Sequence, residues 1–178
     1  MRLLEELCAQ RPGGERPDLI ALYFHHPRVE PGTVAALCRY VGDGGALLAI
    51  HGALASFKGE PAYTDLLGAS FAGHQPVGAR EMRLAREGAA SRGGLPGCVA
   101  VTDEVYEHEF RHEVDIWYRW HEGGSSERGA AAVWTRGYAA GRVACFASGH
   151  RAAVWRSPGV VEVIAGLLGW LLRREEPA

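Results

Sequence analysis

Lysine is nearly absent from this 178-residue sequence: Lys58 stands alone, and arginine supplies the remainder of the 19 basic residues, set against 21 acidic ones. The formal net charge is −2 and no run of basic residues occurs. Nucleic acid and anionic membrane surfaces are therefore excluded as expected partners, since both need a concentrated positive face. Long apolar runs are also missing. The longest, Val160 to Leu172, is interrupted by Glu162 and falls short of the roughly 20 residues a bilayer span needs, so no membrane segment is expected. The opening Met1-Arg2-Leu3-Leu4-Glu5-Glu6 carries acids where a secretory leader needs positive charge followed by an apolar stretch, which points to a cytoplasmic protein. The four cysteines, Cys8, Cys38, Cys98 and Cys145, are widely spaced without a C-x-x-C pair and read as reduced thiols packed as small hydrophobes. No G-x-G-x-x-G follows a strand, and Gly42-Asp-Gly-Gly45 ends a helix, so no nucleotide cofactor is expected and a Rossmann site is absent.

What is present is a core. With 47% hydrophobic and 22% charged residues, a chain of this length buries enough surface to fold as one domain, residues 1–178, without a metal or disulfide staple. Asp18 to Phe24 is a short apolar run with no helical period and reads as a strand buried on both faces. Pro31 and Thr33 open a helix in which Val34, Leu37, Cys38 and Val41 recur on one face, and Gly42 to Gly45 stop it. Ala46 to Ile50 follows as a second, wholly apolar strand. Strand, helix and strand in this order predict a parallel β-α-β unit and an α/β fold. Leu3 to Ala9 and Pro61 to Leu67 read as short helices, and Gly68 to Pro76 as a loop. Further strands are predicted at Glu81–Leu84, Val99–Thr102, Val114–Trp120, Ala130–Thr135 and Arg142–Ala147. The turn Gly123-Gly124-Ser125-Ser126 is too short for a crossover helix, which predicts an antiparallel pair around it. Ser157 and Pro158 then start a final helix with a stripe of Val160, Val163, Ile164, Leu167, Leu168 and Leu171.

In open parallel sheets the ligand crevice lies beyond the carboxyl ends of the strands. His51 follows Ile50 directly, with Gly52 permitting a tight elbow of the kind that exposes a catalytic side chain. His150 stands at another strand end, after Ala147-Ser148-Gly149. Asp103-Glu104-Val105-Tyr106-Glu107 follows an apolar segment, where Glu104 suits an acid, a base or a hydroxyl acceptor and Asp103 and Glu107 read as a solvated acidic turn. His74 is a candidate contact for a ligand, while His25 and His26 read as surface loop. His108-Glu109-Phe110-Arg111-His112 matches H-E-x-x-H, but that zinc chemistry needs a helix. Here the residues run into Val114, Ile116, Tyr118 and Trp120, which alternate as a strand does, so a zinc peptidase is not expected.

The ordered set Gly44-Gly-Ala-Leu-Leu-Ala-Ile-His51, Tyr63 to Phe71 with His74, Asp103-Glu104-Val-Tyr106, Trp134-Thr-Arg-Gly-Tyr138, Gly141-Arg142 and Gly149-His150 resembles the ThuA-like (trehalose utilisation) family over about residues 18–172. The resemblance implies a flavodoxin-like, class I glutamine amidotransferase-like sheet, mostly parallel and flanked by helices. It lacks one family feature, because the usual first strand, which would lie between the two strands predicted above, has no counterpart ahead of Asp18. The His-Pro pattern usual before the acidic segment is also missing around Glu87 to Pro96. In amidotransferase relatives the elbow carries a cysteine nucleophile. Here it carries His51, so covalent glutamine hydrolysis is not implied.

What the resemblance implies is a role in sugar metabolism, on a disaccharide or 3-keto-sugar. His51 and His150 then form an acid–base pair with Glu104, while Tyr106, His74 and Trp155 contact the sugar, whose hydroxyls seek hydrogen bonds and whose C–H face stacks on aromatics. No metal is assigned; a metal held between His51, His150 and Glu104 is a third reading. The rival expectation is a non-catalytic sugar-binding or partner subunit of a sugar oxidoreductase, or a homo-oligomer, using the crevice or an open strand edge.

Overall fold

The computed structural model describes residues 8, 16–30, 32–85, 94–121 and 129–173. Seven strands, β1 (Leu19–Leu22), β2 (Ala46–Ile50), β3 (Ala69–Leu84), β4 (Cys98–Phe110), β5 (Asp115–His121), β6 (Ala131–Tyr138) and β7 (Gly141–Phe146), form one sheet in the order β1-β2-β7-β6-β5-β3-β4. Three helices accompany them among the described residues: α1 (Thr33–Gly42), α2 (Pro61–Leu67) and α3 (Pro158–Leu171). Short 3-10 turns occupy His51–Ala55 and Val154–Arg156.

The β1–β2 and β2–β7 pairings are parallel and the other pairings are antiparallel, so the sheet is mixed where the sequence predicted it mostly parallel. The antiparallel half follows from the short β6–β7 connection at Ala139–Ala140 and from long hairpin-type pairing in β3–β4. Where the family pattern would place a further strand, β1 and β2 pair directly, Leu19 opposite Ala46 and Leu22 opposite Ala49. β1 is consequently an edge strand with Ala21 exposed, not a strand buried on both faces.

The central strands carry the core by alternation. Leu47, Ala49, Val143 and Cys145 pack with α1 and α2 on one face of the sheet, while Ala46, Leu48, Ile50, Ala144 and Phe146 pack with α3 on the other. The stripe of α3 buries Val160, Val163, Leu167 and Leu171 as its spacing predicts. Ser157 sits at the N-cap, yet its side chain makes no capping bond. The four cysteines are free, with Cys145 buried and Cys98 exposed. No helix among the described residues is long and apolar enough to cross a membrane.

Gly68 to Pro76, predicted as loop, is mostly the first half of β3. Its small and polar residues hide a strand signal, and the pairing with β4 is broken by register shifts between Phe71 and Gly73 and between Gln75 and Gly78, so Pro76 falls at a bulge where its missing N–H costs nothing. The acidic run 103–107 is likewise part of β4, not a turn. His108 also lies in β4 while His112 lies outside it, which removes the helix a zinc-peptidase motif requires. The predicted helix Leu3–Ala9, apart from Cys8, and the turn Gly123–Ser126 lie outside the described residues, as do Pro31 and residues 86–93. The antiparallel β5–β6 pairing that this turn implied is present.

Candidate functional site

The site is built where β2 and β7 end. The chain leaves β2 at Ile50 and turns sharply into the 3-10 turn, with His51 itself in the left-handed region at φ 44°. Gly52 is required next, because a Cβ there would lie 2.8 Å from the Phe24 carbonyl oxygen. A non-glycine residue at positive φ costs on the order of 1–3 kcal/mol and survives only where its surroundings over-determine it. Two contacts do so: His51 is 6% exposed and its Nδ1 lies 3.0 Å from the Ala147 carbonyl oxygen at the end of β7. A carbonyl only accepts, so Nδ1 carries the proton and the Nε2 lone pair faces into the site.

β7 ends in Ala147-Ser148-Gly149-His150, and this loop is held by Asp103 of β4. The fully buried Asp103 carboxylate accepts from Ser148 Oγ at 2.5 Å, from the Gly149 N–H at 2.6 Å and from the His150 N–H at 3.3 Å. β4 lies at the far edge of the strand order, yet this contact brings its middle over the ends of β2 and β7. The bulges in the β3–β4 ribbon provide the bend. Glu104 lies opposite the shift between Gln75 and Gly78, where a bulge re-aims side chains.

Glu104, 14% exposed at its side chain, is the centre of the cluster. Its Oε2 lies 3.7 Å from His51 Nε2 and 3.4 Å from His150 Nδ1, and its Oε1 lies 3.6 Å from His74 Nδ1. Tyr106, paired in register with His74, stacks its ring on His51 at 4.3 Å between centroids, and His150 meets His51 edge-on at 5.4 Å. Burial lowers the His51 pKa, and this outweighs the opposing pull of the Ala147 carbonyl and of the Asp103 and Glu104 charges, so its imidazole is neutral at pH 7. Burial first, and then Glu104 and Asp103, push the Tyr106 phenol up to about 12.

His51, His150, Glu104, Tyr106 and His74 are therefore brought together. Trp155 stands one glycine away: a Cβ on Gly149 would sit 3.3 Å from both His51 Cβ and Trp155 Cζ2. Trp155 Nε1 donates to Tyr23 Oη at 3.3 Å, Tyr23 Oη donates to the Gly149 carbonyl at 2.5 Å, and the two rings meet edge-on at 5.5 Å. Tyr23, 53% exposed, thus completes an aromatic rim that sequence reasoning missed. Asp103 was also missed, although a signal existed: it falls on the inward face shared by Val99, Val101 and Val105. His25 and His26 are exposed, as expected. A groove of about 780 Å³ lined by residues including Arg80, Arg83, Thr102 and Arg156 contains none of the clustered side chains.

The model of the family described as trehalose utilisation, ThuA, matches residues 18–171. The chain belongs to the ThuA family. ThuA-like proteins from Parabacteroides merdae ATCC 43184 and Bacteroides uniformis ATCC 8492 share its fold, with TM-scores of 0.71 and 0.70 at 16% and 15% identity. The alignments cover 90% and 89% of this chain and 73% and 71% of those chains. A polyextremophilic β-galactosidase from the Antarctic haloarchaeon Halorubrum lacusprofundi contains a similar fold, at TM-score 0.64 and 15% identity over 88% of this chain and 22% of that one. No functionally curated protein is similar enough in sequence to match. In this ThuA protein the elbow residue is His51, and Cys38, Cys98 and Cys145 lie elsewhere, in α1, β4 and β7.

Proposed function

We propose that this ThuA protein acts on a sugar, a disaccharide or its keto form, by proton transfer among His51, Glu104 and His150, without a cysteine nucleophile. The observation that carries the reading is one carboxylate shared by imidazoles of unlike exposure. His51 is buried with its Nε2 lone pair fixed inward, while the side chains of His150 and His74 are 46% and 51% exposed. Such a set suits removal of a proton beside a carbonyl, where His51 accepts the proton and a solvent-facing imidazole returns one to oxygen. Tyr106, kept as a phenol, donates to a sugar hydroxyl or carbonyl, and Trp155 with Tyr23 offers an aromatic edge for the sugar's C–H face. The family's association with trehalose utilisation supports a carbohydrate.

The test is incubation of the purified protein with trehalose, other disaccharides and their 3-keto forms, followed by NMR beside His51→Ala. Turnover by the parent protein that disappears in the folded variant supports the reading, and unchanged turnover removes His51 from the chemistry.

A second reading is favoured by one observation: among the described residues β1 stands at the sheet edge, and Tyr23 beside it is exposed. This suits a non-catalytic sugar-binding or partner subunit of a sugar oxidoreductase, or association with a second copy. Co-purification of a stoichiometric partner under mild conditions, with no turnover by the chain alone, selects this reading over the first.

A further inference from the structure

We propose that His51 Nε2, His150 Nδ1 and a Glu104 carboxylate oxygen form a binding site for a divalent first-row transition ion of the zinc class, with open positions for sugar oxygens. One donor atom from each of the three residues lies within 4.8 Å of the others. The closest approaches, 3.4 Å and 3.7 Å from Glu104 Oε2 to the two imidazoles, are too long for charge-assisted hydrogen bonds, which run at about 2.7–2.9 Å. They lie nearer the spacing of ligand atoms around a metal ion. Metal bonds of about 2.0–2.1 Å at tetrahedral angles place neighbouring ligand atoms about 3.3 Å apart.

Charge points the same way. The Ala147 carbonyl fixes the Nδ1 proton of His51, so the Nε2 lone pair confronts a carboxylate oxygen, and a cation between two such acceptors satisfies both at once. Orientation of a ligating imidazole by a backbone carbonyl on its other nitrogen is the usual second layer of support at metal sites. Asp103 adds a further layer by holding the His150 backbone. Two imidazoles with one carboxylate select zinc-class ions over magnesium and calcium, which prefer all-oxygen sets. His74 faces the other Glu104 oxygen at 3.6 Å and lies outside the ligand set.

The inference goes beyond the proton-transfer reading, which describes the metal-free site: an ion held by His51 Nε2 and His150 Nδ1 would take up both lone pairs, leaving His74 as the imidazole outside the ligand set. The test uses the full chain, stripped with a chelator and titrated with Zn²⁺ by calorimetry and with Co²⁺ by visible absorption. One ion per chain is expected, with tetrahedral or five-coordinate cobalt bands. Glu104→Gln and His150→Ala are expected to weaken binding by at least about 100-fold, and His74→Ala to keep the one-ion stoichiometry. His150 is exposed, so its replacement leaves the core intact, and circular dichroism checks each variant. Absence of saturable binding overturns the site, as does binding unchanged by both ligand variants but lost in His25→Ala/His26→Ala. Sugar turnover by the stripped chain overturns a need for metal while keeping the sugar reading. Metal binding lost in the ligand variants, with no sugar turned over, keeps the site and removes the sugar.

Discussion

Acid sensitivity of stability gives a prediction that can be worked through in numbers. His108 is enclosed by Phe71, Tyr106 and Trp134, at ring-centroid separations of 6.1, 6.2 and 4.8 Å, and both ring nitrogens are buried without a hydrogen-bond partner. Burial lowers its pKa from 6.5 to about 4. A histidine depressed in the folded state is neutral there while the unfolded chain takes up the proton. The unfolded state therefore binds more protons between pH 6.5 and 4, and stability falls as pH drops through that window. A gap of about 2.5 pH units, at about 1.4 kcal/mol each, amounts to about 3 kcal/mol lost between pH 7.5 and pH 4 through this residue alone. The perturbation is His108→Phe, of similar shape and apolar like its surroundings. At pH 7.5 it should be neutral or stabilising by about 1–2 kcal/mol, since it removes unpartnered polar atoms. Urea unfolding of both proteins at steps from pH 7.5 to 4 is the assay. The parent should lose about 3 kcal/mol more than the variant, chiefly below pH 6.5. Parallel decline of the two curves refutes the reasoning.

Asp103→Asn keeps the shape and can keep an oxygen toward Ser148, Gly149 and His150, but it removes the charge behind those three bonds and buries an amide NH2 at the position of Oδ1, which has no partner; it should cost about 1–3 kcal/mol in denaturant unfolding and lower kcat on any sugar substrate more than it raises KM. Gly52→Ala should lower stability by at least about 2 kcal/mol, because the new methyl meets the Phe24 carbonyl at 2.8 Å and backbone has little room to yield; an unchanged Tm contradicts this. Tyr106→Phe should leave folding intact, as the stacked ring on His51 is kept, and weaken sugar binding or turnover by about 10-fold through loss of one hydroxyl, measured by titration calorimetry.

The central β-α-β unit was legible because its signals are local and agree. Ala46–Ile50 is apolar throughout because both its faces are buried, and the helix before it shows its stripe and its glycine stop. His51 and His150 were legible for a topological reason: they follow strands directly, and parallel strand ends are where crevices form. The β3–β4 ribbon was legible only at one end, where the strands expected at Glu81–Leu84 and Val99–Thr102 lie within β3 and β4 and pair with one another. Its bulges interrupt alternation, and its residues at 72–76, Ala-Gly-His-Gln-Pro, lack the branched apolar side chains that mark strands, so Gly68–Pro76 read as loop. With β4 expected to stop at Thr102, Asp103 read as a solvated acid, although the fold buries it completely. The pairing of β1 directly with β2 was also beyond reach, since neighbour choice depends on long-range packing that no local pattern records.

The measurement that bears most directly on the central claim is proton exchange at carbon. A 3-keto-disaccharide is incubated in D₂O with the parent protein and with Glu104→Gln, and the resonance of the hydrogen beside the carbonyl is followed by ¹H NMR. The account predicts that the parent washes that hydrogen out, or converts the sugar, far faster than buffer does, and that Glu104→Gln does neither while remaining folded. Exchange at the buffer rate with the parent, or exchange at the parental rate with Glu104→Gln, contradicts it.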